Sequence, residues 1–294
     1  MNNGAFVNNI CVKKYNCDLL NIKGGPILPS VNIFVKITNR CNAHCLFCSN
    51  NAAKESSLKF DINKLFDIIK EIKHSGIIVN RLNITGGEPT LDPDLINSIL
   101  EGMDQNDYSN IHLHLNTNGL THNARGIMQN PRWDSISMSL HHYDIQKLSS
   151  LYGCSIDGSF LNFDGINLDC LNLSCNLIKS YIDSTEEVAK MLDFAIEIGV
   201  RRIGFVALMR INSYCSKYYV GLDAIEIESI PHVYFIKSMS RGSNCKCSNY
   251  LYNKDAKVLE IYMRNYANPL YCESSLVYDG EYLRQGFHGD NIIY

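Results

Sequence analysis

Residues 31–48, VNIFVKITNRCNAHCLFC, decide the reading of this chain: a β-rich run feeds a loop that places Cys41, Cys45 and Cys48 within eight positions. Three thiols are one fewer than a closed structural zinc site takes and one more than a disulfide takes. A [4Fe–4S] cube suits them, because each thiolate reaches a different iron and the fourth iron stays open for a non-protein ligand. On spacing alone, a fragment of a zinc site remains the competing reading.

Outward from the loop, hydrophobic periodicity switches between strand and helix. FDINKLFDIIKEIKHSG sets Ile62, Leu65, Phe66, Ile69 and Ile72 on one stripe, with Asp61 as N-cap and Gly76 as terminator. VNRLNIT (79–85) reads as a strand running into GGEP, and a helix is expected from about Pro93 to Met103. IHLHLNTNG (111–119) and DSISMSLHH (134–142) read as strands, separated by a short helix near 121–128. The alternating stretch Leu168–Ile178 is a fifth strand; Cys170 and Cys175 have opposite parity on it, so at most one faces the interior. Ser184 and Glu187 predict a capping box for STEEVAKMLDFAIEIG, and RRIGFVALM (201–209) is a sixth strand.

This alternation predicts an α/β fold, a partial (β/α)6 TIM-like barrel over 31–222, with 1–30 as a lead-in or cap and 223–294 as a small cysteine-containing extension. The cysteine loop, GGEP, NTNG, SLHH and ALMRIN all follow strands, so all five are expected on the rim where such folds collect their chemistry.

The net charge is −3 with no polybasic run, so nucleic acid and anionic membrane are not expected partners. No segment approaches the ~20 apolar residues of a membrane span, and the start lacks a signal peptide, so the cytoplasm is the expected location. In a reducing compartment, twelve cysteines favour metal or cluster ligation, with the spare ones buried as small hydrophobes.

CNAHCLFC, with Phe47 before the third cysteine, resembles the CxxxCxxC loop of the radical S-adenosylmethionine (SAM) superfamily, and LNITGGEPTL resembles its GGE motif. The resemblance covers about residues 31–210. It implies that Cys41, Cys45 and Cys48 hold a [4Fe–4S] cluster and that SAM chelates the open iron. It implies further that reductive cleavage yields a 5′-deoxyadenosyl radical, with a flavodoxin- or ferredoxin-type protein as reductant. By position, Gly86, Gly87, Glu88, Asn116, Asn118, Ser139 and Asn176 match SAM contacts. Thr117 shares the NTNG loop, and Ala207–Met209 would lie against adenine. Each of these has an ordinary alternative as a turn, strand or core residue. His141 and His142 face substrate in one reading and cap or cover the surface in the other.

A second group, Cys245, Cys247 and Cys272, with Cys215 as a fourth candidate, is similar to the auxiliary-cluster regions (SPASM and twitch types) of many radical SAM enzymes and to that of molybdenum-cofactor biosynthesis protein A. Its C-x-C spacing departs from their C-x-x-C. A second [4Fe–4S] cluster is the expectation, with structural zinc and unligated thiols as the others. Cys11, Cys17, Cys154, Cys170 and Cys175 default to core or loop thiols.

The expected activity is hydrogen-atom abstraction from a biosynthetic substrate, a small metabolite or a peptide, for oxidation, epimerisation or bond formation. With about 30 residues ahead of the barrel, a peptide is expected only if a separate protein presents it. The ending GDNIIY, without a glycine pair, speaks against the molybdenum-cofactor group itself. A glycyl-radical-enzyme activase and a non-catalytic iron–sulfur protein on the same fold are the alternatives.

Overall fold

Helices begin where a short polar side chain accepts from the open N–H groups of the first turn. Asp61 does this for α1 (Ile62–His74), Asp92 for α2 (Pro93–Gln105) and Asp144 for α4 (Ile145–Tyr152). Ser184 caps α5 (Thr185–Glu197) and Asn212 caps α6 (Ser213–Lys217), while α3 (Ala124–Met128) has no side-chain cap. These assignments come from a computed structural model that describes residues 5–10, 29–50, 52, 58–238, 246–265, 275–286 and 291–294.

On α1 the predicted stripe is buried in part: Ile62 and Phe66 are half-buried, while Leu65, Ile69 and Ile72, joined by Ile68, are fully covered. Each such side chain contributes roughly 1.5–3 kcal/mol. Gly76 follows with φ +78° and closes the turn by donating its N–H to Lys73 O. The capping box at α5 is only half formed. Ser184 Oγ accepts from Glu187 N, but the Glu187 carboxylate accepts from Tyr143 Oη (2.8 Å) and Lys190 Nζ (2.9 Å) instead of turning back.

The strands are β1 (Ser30–Lys36), β2 (Ile78–Thr85), β3 (His112–Thr117), β4 (Ser135–Ser139), β5 (Leu171–Leu177) and β6 (Arg202–Ala207), then β7 (Val233–Ser238), β8 (Ser248–Lys254), β9 (Lys257–Asn265), β10 (Ser275–Tyr278) and β11 (Leu283–Gln285). They form one sheet in the order β11-β10-β1-β2-β3-β4-β5-β6-β9-β8-β7. The six expected strands stand side by side and parallel. The tail strands widen the run at both flanks: β10 lies parallel to β1, and β9 parallel to β6. Antiparallel β11 and the β8–β7 pair finish the edges, and the two edge strands do not meet. The result is a partial barrel.

Side-chain parity divides the sheet into two chemistries. Val31, Ile33, Val35, Leu82, Ile84, Leu113, Leu115, Ile136, Met138, Leu173, Cys175 and Phe205 belong to the core shared with the helices. The opposite, concave face carries Asn32, Asn83, His114, Asn116, Ser137, Asn172, Ser174 and Asn176 in paired register. Cys175 thus sits on the core side, while Cys170 lies just before β5.

Two short helices, α4 and α6, escape the sequence reading. In α4 the apolar positions Ile145, Leu148 and Leu151 span barely two turns, too few to stand out from the strand before them. Gly153 ends α4 at φ +62°, pressed against His44 of the cysteine loop, where a Cβ would lie 3.0 Å from the His44 Cβ.

Candidate radical SAM site

The cysteine loop leaves the C-terminal end of β1 and is pinned at three points. His44 N donates to Tyr152 O (2.6 Å), and Phe47 is buried edge-on against the His141 ring, 4.9 Å between centroids. Asn212 Nδ2, at the start of α6, donates to Leu46 O at 3.0 Å. The three thiols are all partly accessible on this pinned loop.

Cys41 is pushed up to about 11, mainly by burial, with the Ala43 N–H acting against it and the Glu88 charge adding to it. Burial raises Cys45 further, reinforced by Cys48 and Cys41. Cys41 and Cys45 therefore resist ionisation, and thiolates in this setting need a cationic centre beside them. Among the described residues no three His, Cys, Asp or Glu side chains converge on one ion. A cluster asks for less convergence, since each thiolate binds its own iron. The donor set, three partly accessible thiols, fits a [4Fe–4S] group.

GGE lies directly against the chain that leads into Cys41. Gly87 N donates to Thr38 O (2.7 Å) and Glu88 N to Arg40 O (2.8 Å). A Cβ on Gly87 would stand 2.0 Å from Arg40 O, and one on Gly86 2.5 Å from Thr38 O. Backbone approaching backbone this closely requires glycine at both places. The Gly86 carbonyl accepts from Asn50 Nδ2 at 2.5 Å, which ties the far end of the cysteine loop to the same turn.

Glu88 is 1% exposed, and four donors occupy its carboxylate. Oε1 accepts from Thr90 N, Thr90 Oγ1 and Thr117 Oγ1 at 3.1, 2.6 and 2.7 Å, and Oε2 accepts from Asn118 N at 2.6 Å. Burial raises its pKa and these bonds oppose the rise. Glu88 thus braces the end of β2 to the loop after β3, with its side chain turned into the protein.

Asn118 completes the brace: Nδ2 donates to Asn42 Oδ1 (2.8 Å) and lies 3.8 Å from Cys41 Sγ, while Oδ1 accepts from Leu120 N (2.9 Å). Asn116 differs, because its Nδ2 is buried without a partner. Ser139 closes β4 and its carbonyl accepts from Tyr152 Oη at 2.6 Å; Asn176 N donates to His141 Nδ1 at 3.1 Å. Ala207 and Leu208 are buried and Met209 is partly buried at the end of β6. The structure therefore brings the loop, GGEP, NTNG, SLHH and ALMRIN to the C-terminal ends of neighbouring strands.

His141 and His142 are both buried rather than on the surface. His142 Nδ1 accepts from Asp144 N at 2.9 Å and supports the start of α4. Burial lowers His141 to about 3, so it is neutral at working pH. Its folded pKa lies below its unfolded value of about 6.5, so acid costs stability as pH falls from there towards 3. The His141 contribution should shrink by about 2 kcal/mol between pH 7 and 5. Urea melts of wild type and His141→Gln at both pH values will show the gap between the two proteins narrowing by that amount; a constant gap contradicts it.

Of the second cysteine group, Cys245 and Cys272 lie outside the described residues. Cys247 is buried just before β8, where its Sγ accepts from Asn265 N (3.1 Å) at the end of β9. Cys215 is buried on α6 with Phe47, Leu151, Ile178 and Leu208, packed against Cys45. Cys11 and Cys17 are also outside the described residues, and Cys154 is partly buried. Sequence reasoning missed Asn50, Asn212 and Lys36, which lies within electrostatic reach of Cys48 and Asp279, and it named His141 without its contact to Phe47. None carries a local signal, because each contact joins distant segments.

Known proteins bear on this geometry directly. The chain is 24% identical over 274 residues to a probable GTP 3′,8-cyclase of Saccharolobus islandicus, covering 90% of this chain and 85% of that one. It is 28% identical over 225 residues to the GTP 3′,8-cyclase of Campylobacter jejuni, covering 74% and 68%. A radical SAM methyltransferase from Sphaerobacter thermophilus shares the fold at a TM-score of 0.54 and 12% identity, over 82% of this chain and 67% of that one. The family model for the radical SAM superfamily matches residues 35–157, from the end of β1 past α4. That stretch contains the pinned thiols, the glycine pair pressed on them and the Glu88 brace, and it is over these residues that the chain matches the radical SAM superfamily.

Proposed function

We propose that the chain abstracts a hydrogen atom from a small, polar, anionic metabolite bound against the concave face of the barrel. Cluster and SAM, when bound, supply the 5′-deoxyadenosyl radical for that step. The rest falls to the protein's own groups: holding SAM, orienting the substrate and keeping water out.

One observation carries the substrate reading. The row Asn116–Ser137–Asn172 crosses three adjacent strands in register. Asn172 Nδ2 donates to Ser137 Oγ at 3.1 Å, but Asn172 Oδ1 and Asn116 Nδ2 are buried with no partner. An unmet buried polar atom costs about 1–3 kcal/mol, so a donor and an acceptor left open on either side of Ser137 point to ligand groups that meet them. We assign Asn116 to SAM and Asn172 to the substrate beneath it.

Charge adds to this. By register, Lys36, Arg81, Arg202 and Arg264 stand on the concave side from β1 to β6 and on β9, against Glu260. Such a face favours an anion, in keeping with the nucleotide for which the cyclase relatives are named. A peptide has no comparable support here.

A second [4Fe–4S] cluster on Cys245, Cys247 and Cys272, with Cys215 as a fourth ligand, belongs to the proposal. Anaerobic reconstitution should then give about eight irons per chain, four per cluster. Cys245→Ala with Cys247→Ala should keep 5′-deoxyadenosine formation from SAM and dithionite and lose substrate turnover. Loss of SAM cleavage in a folded variant that retains its first cluster contradicts this division of labour. No 5′-deoxyadenosine from the wild type under strong reduction contradicts the proposed function as a whole.

A further inference from the structure

Residues 31–54 and 198–222 carry seven Lys or Arg and no Asp or Glu, in a chain where Asp and Glu outnumber Lys and Arg 30 to 27. The fold brings parts of both segments to the outer side of the cysteine loop. Asn212 bonds Leu46 O, and Cys215 packs against Cys45 and Phe47. Leu46 is 67% exposed and Ile211 37%, so an apolar centre stands in water beside the thiols.

Around it, Lys179, Arg210 and Lys217 are exposed. Lys179 N donates to Tyr218 O (3.0 Å), which fixes its strand end beside α6. Arg210 and Lys217 lie over the rings of Tyr219 and Tyr218, 4.0 and 5.2 Å from their centroids. Among the described residues no carboxylate pairs with any of the three. Their field therefore reaches into solvent over about a Debye length, roughly 8–10 Å at ordinary salt.

We propose that this face, centred on Leu46 and Ile211 and ringed by Lys179, Arg210 and Lys217, is the docking site of an acidic one-electron carrier protein of the flavodoxin class. The inference rests on reading Cys41, Cys45 and Cys48 as the cluster site. The reduced carrier loses one electron and the oxidised cluster gains it. Charge is complementary, and the apolar centre is small enough for the interfaces below about 1,200 Å² that redox partners use. Cations at the rim raise the encounter rate and make it dependent on salt. The partner's chemistry follows from this: a surface rich in Asp and Glu around its redox group.

The test uses the reconstituted full chain and a purified acidic flavodoxin, with Kd read by fluorescence titration and cluster reduction by loss of visible absorbance. Arg210→Glu with Lys217→Glu should weaken binding at low salt at least ~10-fold and slow reduction by flavodoxin in parallel. Reduction by dithionite should be unchanged, and added salt should bring the wild type down towards the variant. Leu46→Ser should weaken binding without altering its salt dependence. Equal Kd values for wild type and the charge-reversed variant, or a wild-type Kd indifferent to salt, overturn the proposal. If dithionite bleaches no cluster in the wild type, the cluster reading falls, and the Kd comparison still decides the docking face.

Discussion

Cys45→Ala is expected to leave a folded protein that no longer holds its first cluster. The loop keeps its shape through the His44–Tyr152 bond, the Phe47–His141 contact and the Asn212–Leu46 bond, and none of these uses the Cys45 sulfur. Alanine also removes a thiol that burial and two neighbouring thiols already hold far from easy ionisation, so the apo protein loses little. Changes outside the direct ligand set of a metal site cost ~10–100-fold, and loss of a direct ligand should exceed that. Iron content should drop by about one cluster and 5′-deoxyadenosine formation by more than ~100-fold, with the melting temperature of the apo protein nearly unchanged. Full iron content in the variant would show that the loop is not the cluster site.

Gly87→Ala is the second large effect, and it works through the backbone. The new Cβ would meet Arg40 O at 2.0 Å, with Arg40 C at 2.5 Å and Asn39 O at 2.8 Å. No side chain can swing aside, because all three atoms are main chain. Either the GGE turn or the segment before Cys41 must move, which breaks the Gly87–Thr38 and Glu88–Arg40 bonds together. Overpacking of this kind costs typically 1–3 kcal/mol, occasionally more. Displacing Glu88 also loosens the Thr117 and Asn118 bonds that tie the next loop to it. The expectation is a melting temperature lower by about 5 °C or more and incomplete cluster loading. A Gly126→Ala control, inside α3 where a Cβ meets nothing within 4 Å, should load its cluster like the wild type and be equally or slightly more stable. If Gly87→Ala also matches the wild type, the close approach is not what holds the site.

Much of this was legible in the sequence because its signals are local. Strand–helix alternation gave the six parallel strands, and the apolar stripe and Asp61 cap gave α1 with its buried face. The thiol spacing and the glycine pair gave the site, since both are constraints that neighbouring residues impose on each other. What stayed hidden depends on segments far apart in the chain. Glu88 lies in a recognised motif, yet only the fold shows its carboxylate spent on Thr90, Thr117 and Asn118. Asn212 clamps Leu46 of the cysteine loop from 166 residues away, and Asn50 ties the end of the loop to Gly86, 36 residues on, through contacts no periodicity encodes. The tail read as a small separate extension, yet a strand carries no mark of its partner, and β9 and β10 join opposite flanks of the parallel run.

The central claim is that the three thiols leave an iron open and that SAM occupies it. Electron paramagnetic resonance of the reduced Cys245→Ala, Cys247→Ala protein, with and without SAM, addresses it without knowledge of the substrate. With the second group disabled, one reduced [4Fe–4S] signal is predicted, and added SAM should alter that signal as it binds the open iron. A signal indifferent to SAM, or three thiols that hold zinc in place of iron, would contradict the account.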